Sequence, residues 1–351
     1  MRGTVVGLDI GATGIRGVEA SVKGRELRVR RAGAVPLATG AVVGGVIQDP
    51  AAVSTALSVL WRKARFSTKK VATVIGADPA VLIRPATVDY MASAADRAGV
   101  VLDAAPDVLP VEADRQYLDH HVVAVRTRAN EDGTTSLVAD IALVAADREC
   151  VDAVITAVEG AGLRPVSIDV TAFALSRFVA MAASGPGHID FIAHLGAHTV
   201  SLIGVADGQP AFQRAVNEFG GAKVTAAIQE VLGCAEDVAE KLKINVTTLQ
   251  GAEAAVVNEV VAVWTTATVS AIKDALVFAS HQSATPIGRV WLSGGGARLA
   301  TLGPQLKAQL GQAATVAILE PATWVNRPER LVKATETTGQ DFTVALAASS
   351  R

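Results

Sequence analysis

At 351 residues the chain is longer than one domain usually runs, so two domains are the expectation. Half of its residues are hydrophobic and only 4% are aromatic, which suits buried strands among close-packed helices and excludes a disordered chain. The formal net charge of −2 excludes an overall electrostatic drive toward nucleic acid.

The first element is a hairpin. Val5 to Ile10 reads as a buried strand and Ile15 to Val18 as the strand returning beside it. Between them, Gly11-Ala12-Thr13-Gly14 is a turn of small residues whose backbone N–H groups can face an anion. Asp9, closing the first strand, stands where a metal-bound phosphate needs a carboxylate. Glu26 to Val35 reads as a third strand. Asp49-Pro50 then opens a helix, Asp as cap and Pro at the first turn, with Val53, Leu57, Leu60 and Trp61 as its apolar stripe. Val71 to Gly76 is a further strand, giving βββαβ.

From Arg84 to Leu163 the texture changes to that of a small inserted unit. Met91 to Ala98 reads as a short helix and Val108 to Asp114 as irregular. His121 to Arg128 and Ser136 to Ala145 alternate like a hairpin across Asn130-Glu131-Asp132-Gly133. Asp147 caps a helix carrying Val151, Val154, Ile155 and Val158, and Gly160 and Gly162 end it. Val166 to Val170 is then a strand and Ala172 to Ala180 a helix. His120 and His121, beside Asp119, read as a solvated strand start.

Ser184-Gly185-Pro186-Gly187 reads as a linker, and a second hairpin follows it. Phe191 to Leu195 and Val200 to Ile203 flank Gly196-Ala197-His198-Thr199, which aligns with the first turn and sets His194 against Asp9. Gln209 to Arg214 continues that unit, and Gly220-Gly221-Ala222-Lys223-Val224-Thr225 opens a helix. Cys234 to Lys243 and Asn258 to Ser280 are further helices, the former placing Glu240 and Lys243 on one face. Val290 to Ser293 is a buried strand delivering Gly294-Gly295-Gly296, where a flat ring or ribose can lie against bare backbone. Leu302 to Leu310 and Gly339 to Ala348 read as the last helices. Cys150 and Cys234 lack metal-ligand spacing and read as reduced core residues. The longest uncharged apolar runs, such as Val260 to Ile272, fall short of the roughly 20 residues of a membrane span. The N-terminus shows no basic-plus-apolar leader, so the expected compartment is the cytoplasm.

This order of pieces resembles the actin-like ATPase superfamily and, within it, the PilM family of type IV pilus assembly. The resemblance rests on Val6-Gly7-Leu8-Asp9-Ile10-Gly11 with Val18-Glu19, and on Ala161-Gly162-Leu163-Arg164-Pro165-Val166-Ser167-Ile168-Asp169-Val170. Gly208-Gln209-Pro210, Gly220-Gly221, the Glu-x-x-Lys helix and the triple glycine extend it over nearly the whole chain. It implies an α/β chain with the actin-like ATPase fold: two RNase H-like domains around a nucleotide cleft, each with a small inserted subdomain. The implied bounds are 1–83 with 165–184 and 185–221 with 285–351 for the two α/β domains, and 84–164 and 222–284 for the inserts. For ATP or ADP it implies Gly11, Ala12, Thr13, Gly14 and Arg16 at the first phosphate hairpin. His194, Gly196, Ala197, His198 and Thr199 fall at the second. Gly220, Gly221, Glu240 and Lys243 fall on the ribose and adenine side, and Gly294, Gly295, Gly296 and Arg298 on the adenosine turn. Asp9 falls on the shell of a magnesium ion.

One position departs from that pattern. His194 stands where the superfamily carries an Asp that helps hold hydrated magnesium, and imidazole is a poor ligand for that hard ion. The magnesium site is therefore weakened, no residue is assigned a catalytic role, and hydrolysis is expected to be weak or absent. His194 and His198, four apart on a strand and turn, need not converge on a transition metal. The resemblance further implies a scaffold that grips the N-terminal cytoplasmic tail of a PilN-like inner-membrane protein within the pilus assembly platform. The tail would lie in a groove drawn from the Ala77 to Val88 and Ile141 to Ile168 regions. Such a protein stays cytoplasmic at the inner face of the membrane through its partner, without inserting, and self-association is left open. The competing readings are a small-molecule kinase, for which no substrate carboxylate is in evidence, and an FtsA-like or secretion-platform component. The former is disfavoured by His194, and an FtsA-like role by a C-terminal stretch without a basic amphipathic helix.

Overall fold

Two sheets of one design carry the chain. In this computed structural model, residues 4–23, 26–76, 80–109, 113–130, 132–180, 187–216, 219–283, 285–320, 323, 325–326, 329–330 and 342–350 are described. The first half runs β1 (Val5–Gly11), β2 (Gly14–Lys23), β3 (Glu26–Pro36), the small ribbon β4 (Val42–Val43) and β5 (Val46–Ile47), α1 (Pro50–Ala64) and β6 (Lys70–Ile75). It continues through β7 (Val81–Asp89), α2 (Ala94–Val108), β8 (Gln116–Ala129), β9 (Thr135–Asp147), α3 (Arg148–Gly160), β10 (Arg164–Val170) and α4 (Thr171–Val179). The second half runs β11 (Ile189–Leu195), β12 (Val200–Ala206), β13 (Gln209–Val216), α5 (Gly221–Leu232), α6 (Glu236–Ile244) and α7 (Ala252–Ser283). Then come β14 (Ile287–Ser293), α8 (Leu302–Leu310), β15 (Thr315–Ile318), β16 (Val325–Asn326) and α9 (Thr343–Ser349).

The first sheet has the order β10-β6-β1-β2-β3-β16 and the second β15-β14-β11-β12-β13. In each, an antiparallel meander of three strands is extended on the side of its first strand by two parallel ones. This repeat places the turn after β1 and the turn after β11 in equivalent positions. The Asp49 carboxylate accepts from Ala52 N at 2.9 Å and Pro50 sits in the first turn, so α1 begins where its cap directs.

Four features differ from the expectations. The helix expected over Met91 to Ala98 starts after its Ser93 cap and continues to Val108, with Pro106 near its end removing one backbone hydrogen bond. Strand β7 escapes the pattern because Arg84 and Pro85 interrupt it. It occupies the edge of the three-stranded sheet β7-β9-β8, where a residue without an N–H is tolerated. Helix α3, expected within the insert, buries Val151, Val154 and Val158 in the core of the first half, so the insert proper is the β7–β9 sheet with α2. The chain end also crosses over. β16 pairs with β3 and α9 packs on β1 and β2, although residues 285–351 were expected with the second half. Residues 184–186 of the expected linker, Glu131 of the expected turn and 339–341 of the expected last helix lie outside the described residues.

Helix α7 is long and apolar enough over Ala252–Ser280 to pass for a membrane span, with a mean hydropathy of 1.5 in its most apolar window. The sequence reading missed this because Glu259, Lys273 and Asp274 break the run. One face of the helix is core, burying Val257, Val261, Ile272 and Leu276, and Trp264 Nε1 donates to Phe219 O at 3.1 Å.

Glu19 is fully buried and accepts from Ser67 N (2.7 Å), Ser67 Oγ (2.6 Å) and Arg31 Nη1 (3.2 Å). It ties β2 to the loop between α1 and β6. Glu19→Ala removes the acceptor of three donors. It is expected to lower stability by about 3 kcal/mol, read as a fall in the urea midpoint at unchanged slope.

Candidate functional site

The turns after β1 and β11 meet at a cleft of about 280 Å³ between the halves. The first hairpin lines it with Asp9, Gly11, Ala12, Thr13 and Arg16, and the second with His194, Gly196 and Ala197. Four expected residues shape these turns rather than line the cleft. Gly14 pairs with Gly11 at the hairpin neck, and a Cβ there would meet the Val35 carbonyl. Thr199 accepts from Gly196 N at 2.9 Å and closes the second turn, and His198 is exposed. Gly220 has its backbone against Ala197 and His198, where a Cβ would overlap. Helix α5 is docked on the same turn: Gly221 N donates to Gly196 O at 3.0 Å and Ala222 N to Ala197 O at 2.8 Å. Two of the N–H groups that a helix start leaves open are satisfied by the hairpin itself.

The next side of the cleft is a closed network. Lys243 Nζ donates to Glu240 Oε2 (2.6 Å), Thr225 Oγ1 (2.8 Å) and Gly221 O (3.1 Å), using all three ammonium protons. Lys243 is nearly buried while Glu240 is half exposed, so the lysine holds the carboxylate at the cleft wall. The third side is the glycine triplet. Gly294 has φ +84°, and a Cβ on it or on Gly296 would run into Leu195. Gly295 faces open space, and Arg298 follows it on the wall. Sequence reasoning missed Ala222, Thr225, Glu236, Ile244, Leu299, Thr343 and Val344 as lining residues. Thr225 was findable, standing one turn after Gly221. Thr343 and Val344 arrive on α9 with no local signal.

His194 Nδ1 lies 3.3 Å from Ser293 Oγ. Burial, and secondarily the Arg16 guanidinium, push its imidazole down to about 4. Between a free histidine's value near 6.5 and that value, the unfolded chain holds a proton that the folded one does not. Stability therefore falls as pH drops from about 6.5 toward 4, by at most about 1.4 kcal/mol per pH unit. His194→Asn is expected to flatten that part of the profile, measured by urea unfolding at pH 7 and pH 5.

The donor set does not fit magnesium. Asp9 Oδ2 sits 4.0 Å from Arg16 Nη1, and the opposing hairpin offers an uncharged imidazole, a poor ligand for that hard ion. Among the described residues, no group of three or more His, Cys, Asp or Glu side chains is placed to hold a metal.

A second hollow, of about 810 Å³, lies between the insert and the first half. β8 contributes Tyr117 to His121, β9 Val144 and Ala146, β10 Ile168 to Val170, and α4 Phe173 and Arg177. His121 is exposed, as expected, but lies within β8 rather than at its start, and its ring meets Phe173 edge-on at 5.7 Å. Arg177 Nη2 joins Asp169 (2.8 Å) to Ala347 O (3.2 Å), and β8 is an outer strand of its sheet. Of the expected 141–168 stretch this hollow takes in Val144, Ala146, Val151 and Ile168, whereas the β7 residues Ile83, Pro85, Ala86 and Thr87 line a separate hollow of about 430 Å³ with Asp140 to Ala142. Residues 77–79 of the expected groove lie outside the described ones.

Duplicated β-meanders that bring two phosphate-type turns to one cleft are the architecture of actin-like ATPases, and solved structures agree. The chain is similar to the ethanolamine utilization protein EutJ from Carboxydothermus hydrogenoformans (TM-score 0.56, 14% identity, 99% of this chain and 90% of that one). It is similar also to MreB 5 of Spiroplasma citri bound to AMPPNP (TM-score 0.54, 11% identity, 99% and 95%). A PilM–PilN type IV pilus biogenesis complex matches with a TM-score of 0.80 at 24% identity over 99% of this chain and 98% of that one. The family model of the type IV pilus assembly protein PilM covers residues 7–346, and the chain belongs to that family.

Proposed function

We propose that this protein is a nucleotide-holding scaffold of a type IV pilus assembly platform, with weak or absent hydrolysis. Its partner is the N-terminal cytoplasmic tail of a PilN-like inner-membrane protein, which keeps it at the inner face of the membrane. The observation that carries this reading is the pairing of two separate hollows in a PilM-family chain. One is walled by two small-residue turns and a glycine triplet; the other is a larger hollow of mixed lining beside β8, an edge strand among the described residues. An unpaired strand edge flanked by side-chain pockets suits an extended peptide, which gains backbone hydrogen bonds there. ATP or ADP suits the cleft, with phosphates at the two turns, ribose and base toward Glu240, Lys243 and the glycine triplet. His194 in place of a carboxylate argues against water activation.

The test is calorimetric titration with the tail peptide of a candidate PilN-like protein, with His121→Glu as the variant. One-to-one binding, weakened at least about tenfold by the charge placed against Phe173, supports the groove. A variant that melts normally and binds the peptide as well as the parent sinks it. ATP turnover at the rate of an ordinary kinase would sink the scaffold reading.

A further inference from the structure

The misfit between this cleft and magnesium has a structural counterpart in Arg16. Its guanidinium lies on the first phosphate turn: Nη1 is 3.6 Å from where a Cβ of Gly11 would stand and 4.0 Å from Asp9 Oδ2. It is three-quarters buried and lines the cleft opposite His194. A magnesium ion held at a nucleotide keeps several waters and takes one or two carboxylates beside the phosphates. Here the one hairpin carboxylate on the cleft, Asp9, lies 4.0 Å from the Arg16 guanidinium, and a magnesium ion bound at it would stand close to that positive charge. We infer that the cleft binds its nucleotide without a divalent metal, with Arg16 as the counter-cation of the phosphate chain. This rests on the nucleotide reading above. A planar guanidinium can grip phosphate oxygens through two parallel N–H bonds. The neutral His194 completes the arrangement. It adds no negative charge against the phosphates, where the usual carboxylate would demand a metal to offset it.

Calorimetric titration of the full chain with ATP and with ADP, in excess EDTA and then in millimolar magnesium, tests this. The expected result is binding in EDTA within about threefold of that in magnesium, weakened at least about tenfold by Arg16→Gln. His194→Asp, which supplies the second carboxylate, should make binding rise about tenfold or more on adding magnesium. Binding that requires magnesium in the parent overturns the inference and leaves the nucleotide reading standing. Equal binding in both buffers that Arg16→Gln does not weaken removes Arg16 from the role assigned to it. Absence of binding in either buffer overturns the nucleotide reading itself. Thermal melts of both variants without nucleotide separate lost binding from lost folding.

Discussion

Gly7→Ala is expected to unseat helix α9 and to weaken the cleft and the groove together. A Cβ at Gly7 would overlap the carbonyl oxygen of Ala345 and lie 2.5 Å from Ser349 N. These are backbone atoms, which cannot swing aside as a side-chain tip can, so the helix must move. All seven residues of α9 are buried, and its Leu346 and the preceding Phe342 are fully enclosed. Overpacking of this kind costs about 3 kcal/mol or more where the neighbour is rigid. The wider consequence follows from where α9 ends. Thr343 and Val344 at its start line the cleft between the halves, Ala347 O accepts from Arg177, and Ser350 lines the second hollow. Differential scanning calorimetry should show a melting temperature lower by several degrees, and titrations should show weaker binding of both nucleotide and tail peptide. Gly99→Ala is the control. It lies within α2 with nothing within 4 Å of its added Cβ, and should be neutral or stabilising by up to about 1 kcal/mol.

The same glycine shows what could and could not be read beforehand. Gly7 stood in the opening motif, but the reason for it is a helix some 340 positions away in the chain, and no local pattern reports such a contact. The two Gly-Ala hairpins were legible because each is local: a buried strand, a small-residue turn and a returning strand, repeated. The Glu-x-x-Lys pair was legible as a helix face, whereas Thr225, which bonds both members, was passed over as part of a helix start. Helix α3 was recognised from its apolar stripe, yet a stripe does not say which core it enters. It entered the first half's core rather than the insert's. Short strands such as β15 and β16 carry too few residues for a period of two to stand out, so pairing with β14 and β3 alone defines them.

Gly295→Leu should abolish nucleotide binding while leaving the fold intact, because the three glycines of the triplet differ in what they are for. Gly294 needs its positive φ, and a side chain there or at Gly296 would strike Leu195, so substitution at either confounds binding with folding. Gly295 has neither constraint. Its φ is not in the left-handed region, and a Cβ built on it meets nothing within 4 Å. The open space is the cleft itself, so a leucine would occupy the volume where a ribose or base is proposed to lie. Affinity for ATP and ADP should fall by at least about 100-fold, which is about 2.7 kcal/mol. The melting temperature without nucleotide should stay within about 1 °C of the parent's, since nothing packed is disturbed. The groove is walled by other elements, so the tail peptide should bind the nucleotide-free variant as it binds the nucleotide-free parent. Undiminished nucleotide affinity in this variant would mean that the base lies elsewhere than against the triplet. A matching loss of peptide affinity would mean that the two hollows respond to one another through more than α9.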